Sequence, residues 1–224
     1  MRISSLILLS CTSLLLACQA PVVPSALAPA APRPLQALNS SPRAQAPLFP
    51  TTQGFSWDYA VTIAPVMDPQ AEEYGSYTLQ LEDVQSLPGV TQLGLRAQSG
   101  FNNRYSFPTL VQGPQGVTLK DMTFLGIGSD EVRGLEIPFV PAQLTPGYRW
   151  ESEHWIGKVK GRERVSVPAG SYDAWRIEVI GTFEQAYTAV GDYWLVEGLG
   201  VVKSRYTVPN MHVESVLRQA GPRR

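Results

Sequence analysis

Reactive side chains are scarce in this chain: two cysteines, Cys11 and Cys18, and two histidines, His154 and His212, among 224 residues. Ser152 and His154 have the residue types of a nucleophile and its base. Read as positions i and i+2 of one strand, their side chains stand about 6.5 Å apart, too far for a direct hydrogen bond. His212 and Glu214 share a strand face and, with His154, could hold a metal loosely. A structural zinc takes four well-placed ligands, however, and a catalytic one three. The sequence has no Gly-x-Ser-x-Gly elbow, no His-Glu-x-x-His pair and no glycine-rich loop opening a helix. Gly126-Ile127-Gly128-Ser129-Asp130-Glu131 reads as a loop, because no helical periodicity follows it. The carboxylates are too dispersed to nominate an acid–base pair, so a hydrolase would need convergence that only the fold could supply. No catalytic residue, metal ligand or cofactor is assigned, and the chain is expected to act without catalysis.

Cys18 is the reactive residue whose surroundings say most. Arg2 precedes a run from Ile3 to Leu16 that is almost wholly apolar or small and hydroxylated. The run is shorter than the roughly 20 residues of a membrane-spanning helix. It matches the hydrophobic region of a secretory signal, closed by the small residue Ala17. Leu15-Leu16-Ala17-Cys18 resembles the lipobox of bacterial lipoproteins. That resemblance implies removal of residues 1–17 as a signal peptide, a diacylglyceryl group on the Cys18 sulfur, and fatty acylation (palmitate-type) of the new amino group. A plain secretion signal with an incidental cysteine is the other reading. A thiolate is nucleophilic enough to form the thioether. Each buried methylene of a lipid chain contributes about 0.8 kcal/mol, and two or more chains hold firmly where one holds marginally. Cys11 leaves with the signal, so the mature chain has no thiol for a disulfide, a metal site or catalysis and must be stable through its core.

The elements behind these residues fall into three zones. Residues 19–47 carry seven prolines, at 21, 24, 29, 32, 34, 42 and 47, with many alanines and no apolar face. Together with Cys18 they are expected to form a disordered or polyproline-like tether. Residues 48–217 read as a single β-domain and residues 218–224 as a basic tail. All 19 acidic residues lie between Asp58 and Glu214, where only 12 of the 18 basic residues fall, a local charge of −7. Nucleic-acid binding wants a basic patch or stripe, so that class is excluded.

Period-two alternation dominates the domain. Phe55, Trp57, Tyr59, Val61 and Ile63 fall on one face of "FSWDYAVTI", and "SYTLQLED" and "QLGLRAQ" repeat the scheme. Gln112-Gly113-Pro114-Gln115-Gly116 reads as a hairpin loop between "YSFPTLV" and "VTLKDMTFL". Pro146-Gly147 introduces "YRWESEHWIGKVKG", read as one long strand, and Val167-Pro168-Ala169-Gly170 suits a β-turn into "YDAWRIEVIGTF". "TAVGDYWLVEG", "GVVKSRYTV" and "MHVESVL" follow as strands, with a helical turn or two conceivable only at 71–74 or 213–219. The fold class is therefore all-β, mostly an antiparallel meander forming a curved sheet or half-barrel. Gly198 and Gly200 would let a strand bend or be closely approached. Lys203, alternating with Arg205, reads as an outward strand residue rather than a base.

"GFSWDY", "VPAGSYDAW" and "GLGVVK" occur in an order that resembles a broad group of poorly characterised bacterial envelope lipoproteins, and "PGYRW" resembles an internal element of that group. The likeness spans most of residues 49 to 206. It implies a fold and an envelope address, some members being similar to the half-barrels of lipoprotein carriers and lipid-binding proteins, and it implies no reaction. All five tryptophans, at 57, 150, 155, 175 and 194, lie in the β-domain. Most are expected in the core, since aromatic side chains bury large areas. A curved sheet would also let some line an apolar concavity, and Trp57, Tyr59, Trp150, Trp175 and Trp194 are the candidate lining residues. Trp150 and Trp155 have opposite parity on one strand and would face the same side only across a bulge. The expected protein is a membrane-anchored lipoprotein of the bacterial envelope, held at Cys18 on an outer-membrane or other extracytoplasmic face. Its expected partner is an apolar ligand or a lipidated protein, or else, as a structural subunit, an envelope protein.

Overall fold

The computed structural model describes residues 47–120, 136–183 and 187–223. Cys11, Cys18, nearly all of the proline-rich segment and the Gly126–Glu131 loop lie outside them. Thirteen strands follow one another: β1 (Phe55–Pro65), β2 (Glu73–Leu87), β3 (Val90–Ser99), β4 (Tyr105–Ser106), β5 (Thr109–Gly113), β6 (Gly116–Lys120), β7 (Glu136–Pro141), β8 (Arg149–Ser152), β9 (Trp155–Val167), β10 (Gly170–Phe183), β11 (Tyr187–Val196), β12 (Gly200–Val208) and β13 (Met211–Pro222). They make one antiparallel sheet in the order β7-β6-β5-β3-β2-β1-β13-β12-β11-β10-β9-β8, with β4 beside β3. The first and last strands pair at the centre, Val61 opposite Ser215, and the meander unrolls to either side.

Alternation decides the inner face. Every second residue from Gly200 to Val208 is buried, and Val213, Ser215 and Leu217 repeat this on β13. Five pairings shift register at bulges, among them Asp58/Tyr59, Leu81/Asp83 and Trp194/Leu195. A bulge bends its strand and increases local twist, and the sheet curls until β7 and β8 touch. The result is an antiparallel barrel, nearly closed.

Closure at that seam relies on side chains. The Trp150 ring lies over Gly157, where a Cβ would come within 2.0 Å of it. Its indole Nε1 donates to the Pro138 carbonyl of β7 at 2.6 Å, and Phe139 meets the Trp155 ring at 6.3 Å. One end of the barrel is stoppered by the chain entering it. Phe49 is buried, its N–H donates to Gln112 Oε1 at 3.3 Å and its carbonyl accepts from Gln112 Nε2 at 3.2 Å. Gly200, at φ +88°, leaves room for the Phe49 ring, which a Cβ there would meet at 2.7 Å.

Several sequence expectations change. "YRWESEHWIGKVKG" is two strands, because Ser152 pairs with Trp155 across a turn at Glu153-His154. No non-glycine residue there has positive φ, so the turn needs no glycine or asparagine and leaves no signal. That turn lets Trp150 face the interior beside Gly157, the strand partner of Trp150, while Trp155 is itself buried. "EIPFVP" forms β7 despite two prolines, which an edge strand tolerates where no ladder donor is needed. Residues 213–219 are strand, and β13 carries on to Pro222, so most of the supposed basic tail is paired with β1.

Trp150→Phe keeps a ring at the seam and removes its donor. The expected loss is about 1 kcal/mol of stability, a fall of roughly 2–4 °C in the unfolding midpoint. Amide exchange should quicken in β7 and β8 while β1 and β13 stay protected; an even change across all strands would show that this bond does not hold the seam.

Candidate ligand cavity

The inner face does not fill the space the curl encloses. A cavity of about 110 Å³ lies between Phe49 at the stoppered end, Trp57 and Tyr59 of β1, Tyr77 and Leu79 of β2, Leu95, Pro108, Leu110 and Leu119, Phe139 of β7, Tyr193 of β11, and Val201, Ser204 and Ser215. One water occupies roughly 10–15 Å³ on a comparable measure, and an engineered apolar cavity of about 150 Å³ holds benzene. At about three-quarters of that volume, and with a partly open wall, the space suits a short stretch of hydrocarbon, or a small ring where the wall gives. A roomier cleft of about 450 Å³ lies between turns near Pro47, Leu87 and Gly113. Its walls are strand ends and their connections, of mixed polarity, so it lacks the convergent apolar surface of the inner site.

The aromatic wall is rigidly set. Trp57 is 2 % exposed and donates through Nε1 to the Leu199 carbonyl at 2.7 Å. The Tyr59 hydroxyl donates to the Val201 carbonyl at 2.8 Å. The rings of Tyr59 and Tyr77 stand 6.2 Å apart, and Phe139 meets Tyr193 edge-on at 5.1 Å. Burial drives the Tyr59, Tyr77 and Tyr193 hydroxyls well above their ordinary value near 10, with Tyr77 adding to the effect at Tyr59 and Tyr193 at Tyr77. No charged side chain lines the cavity among the described residues. It is electrically neutral at any physiological pH.

Of the five lining candidates, Trp57 and Tyr59 stand in the cavity wall. Trp150 closes the seam instead. Trp175 and Trp194 lie away from the cavity, among charges. Trp175 donates to Glu197 at 3.0 Å beneath the Arg162 guanidinium, 4.7 Å from the ring centre. Trp194 donates to Glu163 at 2.5 Å and is covered by Arg176 and Lys203, each 5.5 Å from its ring. Arg176 grips Asp192 through two bonds of 2.9 and 3.0 Å, and Lys203 reaches Glu214 at 3.1 Å. Strand alternation puts Tyr193 on the inner face and its neighbour Trp194 on the outer one, where its charged neighbours keep it buried, and aromatic content alone does not say which.

Sequence reasoning missed Tyr77, Leu79, Tyr193, Ser204 and Ser215. The serines carry a legible signal, since each interrupts an apolar inner stripe: Val202-Ser204-Tyr206 and Val213-Ser215-Leu217. The other reactive residues do not converge. The Ser152 hydroxyl faces the Trp155 carbonyl at 3.5 Å, His154 lies 3.8 Å from Glu153, and His212 Nδ1 shares a 2.9 Å bond with Thr207. Among the described residues no three His, Cys, Asp or Glu side chains gather as a metal site would require. No described helix is long and apolar enough to cross a membrane.

No protein-family model and no curated protein matches the chain. Two solved structures do. One, from Bacteroides fragilis, is provisionally described as an exported protein with a YmcC-like fold; it aligns with a TM-score of 0.57 and 11% identity over 79% of this chain and 99% of its own. The other, from Parabacteroides distasonis, is provisionally described as a lipoprotein; it aligns at 0.52 and 13% over the same shares. At such identity the likeness shows a shared fold, and a fold by itself assigns no activity.

The buried tyrosines make alkaline stability a test of the neutral cavity. Above pH 10 each ionises in the unfolded chain but stays protonated in the barrel. Their contribution is therefore complete below pH 10 and is lost as pH rises, by up to about 1.4 kcal/mol per pH unit for each tyrosine. Tyrosinate absorbance from these three should appear only with unfolding; smooth titration in the folded barrel near pH 10 would contradict their burial.

Proposed function

We propose that this chain is a cell-envelope lipoprotein, anchored to a membrane through acylated Cys18, whose barrel binds an apolar ligand and catalyses no reaction. The observation that carries the binding reading is the unfilled, uncharged, aromatic-walled cavity at the heart of an otherwise well-packed sheet. Interiors are normally packed to the density of organic crystals, and an empty apolar space forgoes the dispersion contacts its lining would make. Filling it with hydrocarbon recovers about 0.8 kcal/mol per methylene taken from water. Scattered nucleophiles and bases support the non-catalytic reading. For the anchor, support comes from Leu15-Leu16-Ala17-Cys18 behind its apolar run, and the descriptions of the two structural neighbours as exported protein and lipoprotein fit an extracytoplasmic address.

Each half of the reading has its own experiment. Radiolabelled palmitate should enter the full chain in a bacterial host and fail to enter Cys18→Ser; equal labelling of both, or of neither, removes the anchor. Saturating toluene should raise the unfolding midpoint of the parent protein by several degrees through binding to the folded state. Leu79→Trp, which fills the cavity from a half-buried position, should keep the fold by circular dichroism and abolish that rise. A midpoint indifferent to toluene in the parent protein defeats the binding half.

A further inference from the structure

Two buried hydroxyls stand in the wall of this apolar cavity. Ser204 and Ser215 are 3 % and 2 % exposed and face each other across the β12–β13 pair. Ser215 Oγ has no hydrogen-bond partner among the described residues, so the two serines do not satisfy one another. A buried hydroxyl left without its bond costs more than such a bond usually contributes, and a small aliphatic residue would avoid that cost at an inner-face position. Around the pair are Tyr59, Tyr77, Tyr193 and Val201, with no charge to compensate an ion.

From this arrangement we infer that the cavity selects a neutral amphiphile, a short hydrocarbon stretch or ring bearing one hydroxyl or carbonyl oxygen, whose polar atom bonds to the Ser204–Ser215 pair. The inference deepens the apolar-ligand reading and rests on it. An ionised head group is excluded, because taking it from water into an uncharged interior is far costlier than one or two neutral hydrogen bonds can offset. A purely apolar ligand leaves Ser215 unpaired. A hydroxyl or carbonyl group supplies the missing partner once the Ser215 hydroxyl, which has almost no accessible surface as it stands, turns toward the cavity, and the group keeps its own hydrogen bonding as it enters.

Hexane, hexanol and hexanoate, titrated at pH 7 and followed by ligand-observed nuclear magnetic resonance, separate these cases, with toluene as the reference that needs no polar partner. In the parent protein hexanol should bind at least as tightly as hexane, since the serines replace the water its hydroxyl gives up, and hexanoate should not bind detectably. In the Ser204→Ala/Ser215→Ala double variant hexanol should weaken about ten-fold relative to toluene. Ser215→Ala alone should lose a part of that factor, and it serves should the double variant fail to bind toluene. Toluene binding with hexanol at least ten-fold weaker than hexane in the parent, or with hexanol unaffected by the serine changes, overturns the inference while leaving the apolar site standing. Hexanoate binding as well as hexanol overturns the neutral-head assignment. Failure of all four compounds removes the site itself, and the earlier reading with it.

Discussion

Trp150 joins the two ends of the sheet, and the enclosure behind it depends on that contact. A backbone ladder would close a barrel permanently; here the last two strands meet through an indole donor, a proline carbonyl and packed rings. The two end strands are held together by groups that contribute about 1 kcal/mol each, while every other strand boundary is laced by a run of backbone bonds. β7 contains Pro138 and Pro141 because one of its edges donates to no neighbour, and the same proline residue offers the carbonyl that Trp150 needs. The seam is therefore the most weakly bonded boundary of the sheet.

Charge and polarity are sorted across the sheet with few exceptions. Outside, Arg162, Arg176 and Lys203 bridge carboxylates and cover Trp175 and Trp194. The exposed pairs among them, such as Arg162–Asp173, contribute about 0–1 kcal/mol each, whereas the two-bond Arg176–Asp192 pair is partly buried. Inside, stability comes from burial of residues such as Trp57, Leu81, Ile177 and Leu217, at about 1.5–3 kcal/mol per large aliphatic side chain. Polar groups do reach the interior: Ser204, Ser215 and the hydroxyls of Tyr59, Tyr77 and Tyr193 line the cavity, while Ser99, Gln112 and Tyr206 are buried away from it.

Much of this architecture is legible from residue order. Alternation in "FSWDYAVTI", "GVVKSRYTV" and "MHVESVL" becomes β1, β12 and β13, and the Val167–Gly170 turn stands where its proline and glycine put it. What is not legible is long-range or silent. Glu153-His154 turns the chain without special φ, β7 hides behind two prolines, and pairing of β1 with β13 joins residues 146 to 167 positions apart. Trp57 and Trp194 look alike in sequence, each an aromatic in an alternating strand. Only the curl direction makes one a cavity wall and the other the floor of a charged cluster. A hollow interior cannot be read from periodicity at all, because alternation fixes which residues face inward and says nothing of the space left between them.

The central claim is that this barrel's interior is occupied in life by something other than its own side chains. Native mass spectrometry of the full chain, purified from its envelope without organic extraction, tests that most directly. The account predicts a population heavier than the covalent chain by one defined, uncharged, apolar molecule, released on gentle activation. A single species at the covalent mass across independent preparations, with the interior holding only water, would contradict it.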